Sequence, residues 1–180
     1  MNVLDLFRGL ARNNAWCNHR LHEACGHLSH DDLHANRTSF FPTIMRTLNH
    51  ILIVDWYYFD ALANEGRGRK TLENEEPFDE IGGLRDAQRT CDRKLLTLVE
   101  RMRDADPDAT VRIQRVDHVQ LERAGDVLAH MFQHQIHHRG QVHAMLAGSG
   151  VAPPQLDEFF LADDLPLRRG ELEEMGLPLA

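Results

Sequence analysis

Apolar residues recur every three or four positions along four stretches of the chain, a spacing typical of amphipathic α-helices. The clearest stretch, residues 124–147, contains no proline and repeats Val127, Met131, Val142 and Met145 at such intervals. We therefore predict long helices over residues 2–25, about 42–64, about 84–102 and 124–147.

Residues with special backbone preferences indicate where these helices end. Gly26 follows the first helix, and Pro42, which is favoured in a first turn, begins the second, with Ser39 as a candidate cap. Residues 27–41 and 65–80 are polar and lack periodicity, so we predict loops there. Three histidines of the first loop are expected to face water: His27, His30 and His34.

The pattern changes to alternation between the third and fourth helices. Val111 and Ile113 alternate with polar residues, Val116 continues this pattern, and Val119 and Leu121 follow after a short polar break. Alternation over so few residues predicts a short β-hairpin. Because an isolated two-stranded hairpin is marginally stable in water, we expect it to pack beside the helices.

The predicted elements describe an all-α protein, a four-helix bundle with a short β-hairpin between helices three and four. At 180 residues the chain fits one domain, over residues 1–180, with a core at 4–157 and a C-terminal extension at 158–180. The extension is charged and is expected to contain one short helix. Four leucines are candidates for its apolar contacts: Leu165, Leu167, Leu172 and Leu177.

Charge and composition exclude several classes of function. With 28 acidic and 20 basic residues the formal charge is −8, so no general attraction to nucleic acid or to anionic lipid is expected. The first residues do not resemble a secretory signal, and no apolar run approaches the ~20 residues of a membrane span. Three cysteines without a CxxC pair favour small buried side chains over disulfides or thiolate zinc sites. We predict a cytoplasmic protein.

Histidines occupy positions in the fourth helix where a bundle normally has core leucines. The series of inward positions spaced by three or four residues continues through His134, His138 and Gln141, and His130 lies at the edge of the same helix face. Residues four apart on a helix have Cβ atoms about 5–6 Å apart, so both imidazoles can reach one metal ion. Histidines four apart also arise by chance in a chain with twelve histidines. Their position on the apolar face favours a metal site, because a buried polar group without a partner costs about 1–3 kcal/mol.

His50, on the second helix, is the natural third ligand. Three histidine ligands leave one position of a tetrahedral site open, as in catalytic rather than structural zinc sites. Asp55, five residues later, is a candidate partner that orients a ligand imidazole. The competing interpretation is that His50 and Asp55 are ordinary polar residues of the helix, and spacing alone leaves both interpretations open.

Three motifs resemble those of the DinB family, in the DinB/YfiT-like superfamily. HMFQHQIHHRGQ places His134 and His138 before Arg-Gly-Gln, NNAWCNHRL resembles the first-helix motif, and LNHILIVDWYYFDAL resembles the second-helix motif. The match extends from Leu6 to about Asp157. The resemblance implies a four-helix bundle in which three histidines hold a divalent metal, and these correspond to His50, His134 and His138.

The resemblance also implies cofactors and partners. Relatives bind nickel or zinc, many are homodimers, and the superfamily includes S-transferases and isomerases that use low-molecular-weight thiols. We therefore expect a metal-dependent enzyme, a thiol-dependent S-transferase or a hydrolase, acting on an unidentified small molecule. The alternative is a non-catalytic metal-binding stress-response protein, in which a fourth ligand such as His130 closes the site.

Candidates for catalytic roles are less well defined by the sequence. His137 and His130 are close to the predicted ligands and could act as acid or base, and Gln141 could hold a metal-bound water. Arg139 is interpreted as a surface or helix-pairing charge, with substrate binding as the alternative.

Overall fold

The protein is described from a computed structural model, which describes residues 2–157 and 161–177. The elements are α1 (Val3–Cys25), α2 (His30–His34), α3 (Ile44–Ala63), α4 (Ile81–Arg101), β1 (Thr110–Gln114), β2 (Val119–Arg123), α5 (Ala124–Ala147) and α6 (Leu165–Glu174). Short 3-10 helices cover Gly68–Leu72, Asp106–Asp108 and Ala162–Asp164.

The long helices α1, α3, α4 and α5 form the bundle. α1 packs against α4 and α5, and α3 packs against the same two helices, so that α1 lies diagonally opposite α3. The apolar faces predicted from the sequence meet in its core, where Leu21, Leu48, Leu84 and Leu146 are all buried. The prediction of a four-helix bundle with a hairpin before its last helix is confirmed.

The bundle helices begin and end close to the predicted positions. Asn2 caps α1 in a capping box with Asp5, and Asn64 ends α3 in the left-handed conformation, with φ 54°. The predicted cap of α3 was wrong: Thr43, not Ser39, accepts the hydrogen bond from the Arg46 backbone N–H, at 3.1 Å. A cap must lie within three residues of the N–H groups that it binds, and Ser39 lies too far upstream.

One helical turn was missed in the first loop. Residues His30–His34 form α2, because the Ser29 hydroxyl accepts from the backbone N–H of Asp32 and Leu33 is buried in the bundle core. A single apolar residue creates no periodicity, so the sequence pattern could not indicate this turn. The predicted loop 65–80 contains the 3-10 helix Gly68–Leu72, and the backbone N–H groups of Arg67 and Gly68 at its start donate to the Asp60 carboxylate.

The hairpin packs beside α3 and α5 as predicted. Val111 and Ile113 of β1 are buried against Tyr57 and Val127, whereas β2 is largely exposed. The strands are antiparallel, with Val111 opposite Glu122 and Ile113 opposite Gln120. The predicted alternation through Val116 was wrong, because that residue lies in the turn and is 78% exposed.

The C-terminal segment contains the predicted short helix and covers part of α1. Leu172 of α6 is buried against Trp16 and Cys17, and the Trp16 indole N–H donates to Glu171. Leu165 and Leu177 also contact this cluster, but Leu167 does not and is 67% exposed. The predicted boundary between core and extension, at 157/158, adjoins residues 158–160, which lie outside the described part.

The cysteines behave as predicted, as small buried side chains. Cys17, Cys25 and Cys91 are all buried and free. Burial raises the pKa of the Cys25 thiol to about 12, so this side chain remains an uncharged thiol at neutral pH.

A buried polar network connects the four bundle helices, and Arg139 of α5 lies within it. Its guanidinium donates to the side-chain oxygens of Asn14 and Asn18 on α1 and of Gln135 on its own helix. The residue is only 5% exposed, and burial lowers its pKa. The expected position at the surface was wrong, because the residue is buried, but the expected role of a charge that pairs helices agrees with its hydrogen bonds to α1.

Two buried carboxyl groups extend this network to α3 and α4. Asp92 accepts hydrogen bonds from Asn18, at 3.0 Å, and from Gln88, at 3.2 Å. Asp55 accepts from Gln88, at 2.9 Å, and from Gln135. Burial raises the pKa of Asp55 to about 7 and that of Asp92 to about 6. Each side chain of the network has a partner on another helix, although Asp55 Oδ1 and Gln88 Oε1 form no hydrogen bond within the described residues.

We predict that Arg139→Ala destabilises the fold by about 3–5 kcal/mol, because it leaves the oxygens of Asn14, Asn18 and Gln135 buried without their donor. Urea unfolding followed by circular dichroism measures this change in the free energy of unfolding. The control is Arg103→Ala, whose side chain is 88% exposed and for which a change within about 0.5 kcal/mol is expected. Equal stability of the two variants would contradict the prediction.

Candidate metal centre

The three predicted ligands come from two helices that pack against each other. His50 lies in the second turn of α3, and His134 and His138 lie one turn apart on α5. Because α3 and α5 are adjacent in the bundle, the side chains converge at their interface. The structure thus brings together His50, His134 and His138, and in each at least one ring nitrogen is available to a common ion.

The distances between the rings suit a single divalent ion. The Nε2 atoms of His50 and His134 are 3.1 Å apart, and one nitrogen of each of the three rings lies within 4.8 Å of the others. Two nitrogens bound to zinc at about 2.0–2.1 Å in tetrahedral geometry lie roughly 3.3 Å apart. The observed separation is therefore close to the one that coordination would require.

Burial keeps these imidazoles neutral, the form in which histidine binds a metal. Desolvation, reinforced by the neighbouring histidines, lowers the pKa of His134 to about 3 and that of His50 to about 4. Desolvation also lowers the pKa of His138, although its hydrogen bond to Gln141 acts in the opposite direction. At neutral pH the site offers three uncharged nitrogen donors.

Gln141 orients the ring of His138, one of the candidate ligands. The His138 Nδ1–H donates to Gln141 Oε1 at 2.8 Å, which leaves Nε2 of this ring unprotonated. The Gln141 amide N–H donates in turn to His137 Nε2, at 3.2 Å. Gln141 was expected to hold a metal-bound water, but both ends of its amide bind histidines. Its position supports a role in setting the tautomer of a ligand.

The other candidate ligand of α5, His134, has one buried ring nitrogen that forms no hydrogen bond within the described part of the chain. His134 Nδ1 is inaccessible to solvent, and no atom of the described residues forms a hydrogen bond with it. Its Nε2 faces His50. In this half-buried, neutral ring, Nε2 is therefore the atom that faces the other candidate ligand and could bind a common ion.

Phe41 forms an apolar wall that the sequence analysis missed. Its ring centroid lies 4.4 Å from that of His50 and 5.8 Å from that of His138. It belongs to the segment that was interpreted as a polar loop before α3. The signal available in the sequence was the pair of aromatic residues next to Pro42, which is unusual for a solvated loop.

The two histidines predicted as catalytic acid or base, His137 and His130, lie at different distances from the histidine triad. His137 is exposed and lies next to His138, with ring centroids 4.8 Å apart. His130 is also exposed, but its ring packs against Tyr58 and its centroid is 6.3 Å from that of His134. His130 is not among the clustered donors.

The prediction that Asp55 orients a ligand imidazole was wrong. Its Oδ2 accepts from Gln88 and Gln135 in the buried network, and Oδ1 has no partner among the described residues. Spacing along α3 placed Asp55 near His50, but five residues correspond to a rotation of about 140° around the helix axis. The two side chains therefore point towards different neighbours.

Comparison with known proteins identifies the family. The model of the DinB family matches residues 1–167. The chain belongs to the DinB family. The crystal structure of a DinB-like protein from Bacillus cereus ATCC 10987 superposes with a TM-score of 0.61, covering 78% of this chain and 90% of that chain. At 15% identity this likeness concerns the fold alone. A comparison with curated proteins finds no match.

In this DinB protein we predict that Gln141→Ala lowers the zinc affinity of the histidine triad about 10–100-fold, because His138 loses the acceptor that selects its tautomer. Competition with a chromophoric chelator measures the dissociation constant. Gln133→Ala, on the exposed side of the same helix, is the matched control and should bind zinc as the unmodified protein does. Equal affinities in both variants would show that Gln141 has no such role.

The lowered pKa values predict how zinc binding by this DinB protein depends on pH. Protons compete with the metal only below the ring pKa, and those of His50 and His134 are about 4 and 3. The pKa of His138 is also lowered, so the affinity of the triad should change little from about pH 8 to 6.5 and should fall only at lower pH. Zinc titrations followed through the ring NMR signals of His134 measure it. A tenfold loss between pH 7.5 and 6.5 would contradict the lowered pKa values.

Proposed function

We propose that this DinB protein is a divalent-metal-dependent enzyme whose centre consists of His50, His134 and His138. One observation carries the proposal. In the residues that the structure describes, the cluster contains three histidine donors and no fourth His, Cys, Asp or Glu. Structural zinc sites are usually closed by four protein ligands, whereas catalytic sites keep a position for water or substrate.

Three neutral imidazoles leave the full positive charge on the ion. A divalent ion held there would act as a Lewis acid, able to lower the pKa of a bound water or thiol or to polarise a carbonyl group. A site made only of histidines accepts several divalent ions, so the ligands alone do not select one metal. The family resemblance implies nickel or zinc.

The surrounding side chains have separate roles in this proposal. Phe41 excludes water from one side of the site, and Gln141 holds the His138 ring with Nε2 directed away from its own amide. His137 is exposed and accepts a hydrogen bond from Gln141, so it is the side chain best situated to exchange a proton with solvent. His130, packed on Tyr58, is the second candidate.

For the reaction we favour transfer of a low-molecular-weight thiol to an electrophilic small molecule, with metal-assisted hydrolysis second. This order rests on analogy with the superfamily, since a fold by itself does not define a reaction. The alternative of a non-catalytic stress-response protein is disfavoured because His130, its candidate fourth ligand, is not among the clustered donors.

Assembly and location stay predictions. None of the helices in the described ranges is long and apolar enough to cross a membrane. A homodimer, a cytoplasmic location and the absence of nucleic-acid binding remain expectations from the family resemblance and from the charge of −8.

The proposed function is tested with protein prepared without a histidine tag or nickel column. Each of the variants His50→Ala, His134→Ala and His138→Ala should bind one equivalent of metal less than the unmodified protein. The control His143→Ala, which changes another histidine of α5, should bind as much metal as the unmodified protein. Elemental analysis measures the metal content. The loaded protein should then accelerate thiol transfer or ester hydrolysis, and this activity should disappear with that equivalent.

His137→Ala separates catalysis from metal binding. We expect it to keep the metal but to lower kcat about 10²–10⁴-fold if His137 acts as acid or base. Metal retained in all three ligand variants would refute the metal centre. Bound metal without activity in either assay would favour the non-catalytic alternative.

A further inference from the structure

We propose that His30, His34 and Asp79 form a second site for a divalent transition metal, on the surface and separate from the histidine triad. Of the described residues, these three form the second cluster in which one potential ligand atom of each side chain lies within 4.8 Å of the others. The site does not depend on the function proposed for the triad.

Both imidazoles are directed at the same carboxylate. His30 Nε2 lies 3.2 Å from Asp79 Oδ2, and His34 Nε2 lies 3.5 Å from Asp79 Oδ1 and 3.1 Å from its backbone oxygen. The two rings stack, with centroids 4.4 Å apart and planes inclined by 27°. This arrangement presents two Nε2 atoms side by side, so small movements would place them around one ion.

The histidine side of the site is held by a capped and anchored helical turn. Ser29 caps α2, and Leu33, between the two histidines, is buried in the core. His30 and His34 are four residues apart and therefore project from the same face of α2. The turn thus has a defined orientation although it is only five residues long.

The carboxylate side is anchored independently. The residue before Asp79 is Phe78, whose backbone N–H and C=O both bind the buried side chain of Asn49, at 3.0 and 2.8 Å. Asp79 is followed by Glu80, the first residue before α4. Because both halves are attached to the bundle, a metal would bind at low cost in conformational entropy.

Two histidines and one carboxylate are a ligand set that proteins use for zinc and for other first-row divalent ions. The side chains of His30, His34 and Asp79 are 49, 29 and 76% exposed, so further positions on the ion would be open to water. In contrast to the triad, this set carries a negative charge and is accessible to solvent.

An ordinary solvated ion pair is the competing interpretation, and the chain provides an example for comparison. His118 Nδ1 lies 2.7 Å from Asp117 on an exposed turn, but no third donor joins this pair among the described residues. His118→Asn is therefore a control that removes a histidine–aspartate pair without removing a three-donor cluster.

The test uses zinc and full-length, untagged protein in which His134→Ala disables the triad. Equilibrium dialysis should show one equivalent of zinc bound to this parent variant. Adding either His30→Asn or Asp79→Asn should weaken that binding at least about tenfold, whereas adding His118→Asn should leave it unchanged. Circular dichroism verifies that each variant is folded, and His34→Asn provides an independent second removal.

Zinc should also raise the melting temperature of the parent but not that of the His30→Asn derivative, because the ion would join α2 to the segment before α4. A parent that binds no zinc, or cluster variants that bind it as tightly as the parent does, would overturn the proposal. The triad is tested separately: the unmodified protein should bind one equivalent more than the His134→Ala parent, whatever the outcome at the surface cluster.

Discussion

The buried guanidinium of Arg139 is the group on which the arrangement of the bundle depends. It binds α1 through Asn14 and Asn18, and it shares Gln135 with Asp55 of α3. A charge in a helical core is costly unless its polar partners are present with good geometry. Only a narrow range of helix rotations and axial positions satisfies these bonds, so the network restricts α5 more than apolar packing would.

This restriction positions the three histidines of the candidate metal centre, because the polar network and the histidine cluster share α5. Gln135 and Arg139 directly follow His134 and His138, so each network residue is rotated by about 100° from a candidate ligand. The same rotation of α5 therefore directs Arg139 towards α1 and the imidazoles towards His50 on α3. The polar network and the histidine cluster therefore use adjacent faces of α5, and one orientation of this helix satisfies both.

Surroundings distinguish the two histidine pairs that are spaced by four residues. On α5, partial burial in the bundle and the ring of Phe41 reduce contact with water, which keeps the rings neutral. The packing of α3 on α5 places a third imidazole, that of His50, beside them. On α2, solvent and the carboxylate of Asp79 surround the rings. Equal spacing thus leads to a donor set of three nitrogens in one place and of two nitrogens and an oxygen in the other.

The sequence by itself determined the long elements and the histidines of the candidate metal centre, because periodicity over twenty residues and histidines on an apolar face are signals carried by neighbours along the chain. It could not locate the partners of Asp55, Arg139 and Gln141, or the wall formed by Phe41, since these depend on which residues from other helices meet them. The single turn of α2 was missed for a related reason. One leucine creates no periodic pattern, and Leu33 stabilises this turn only by packing against the other helices of the bundle.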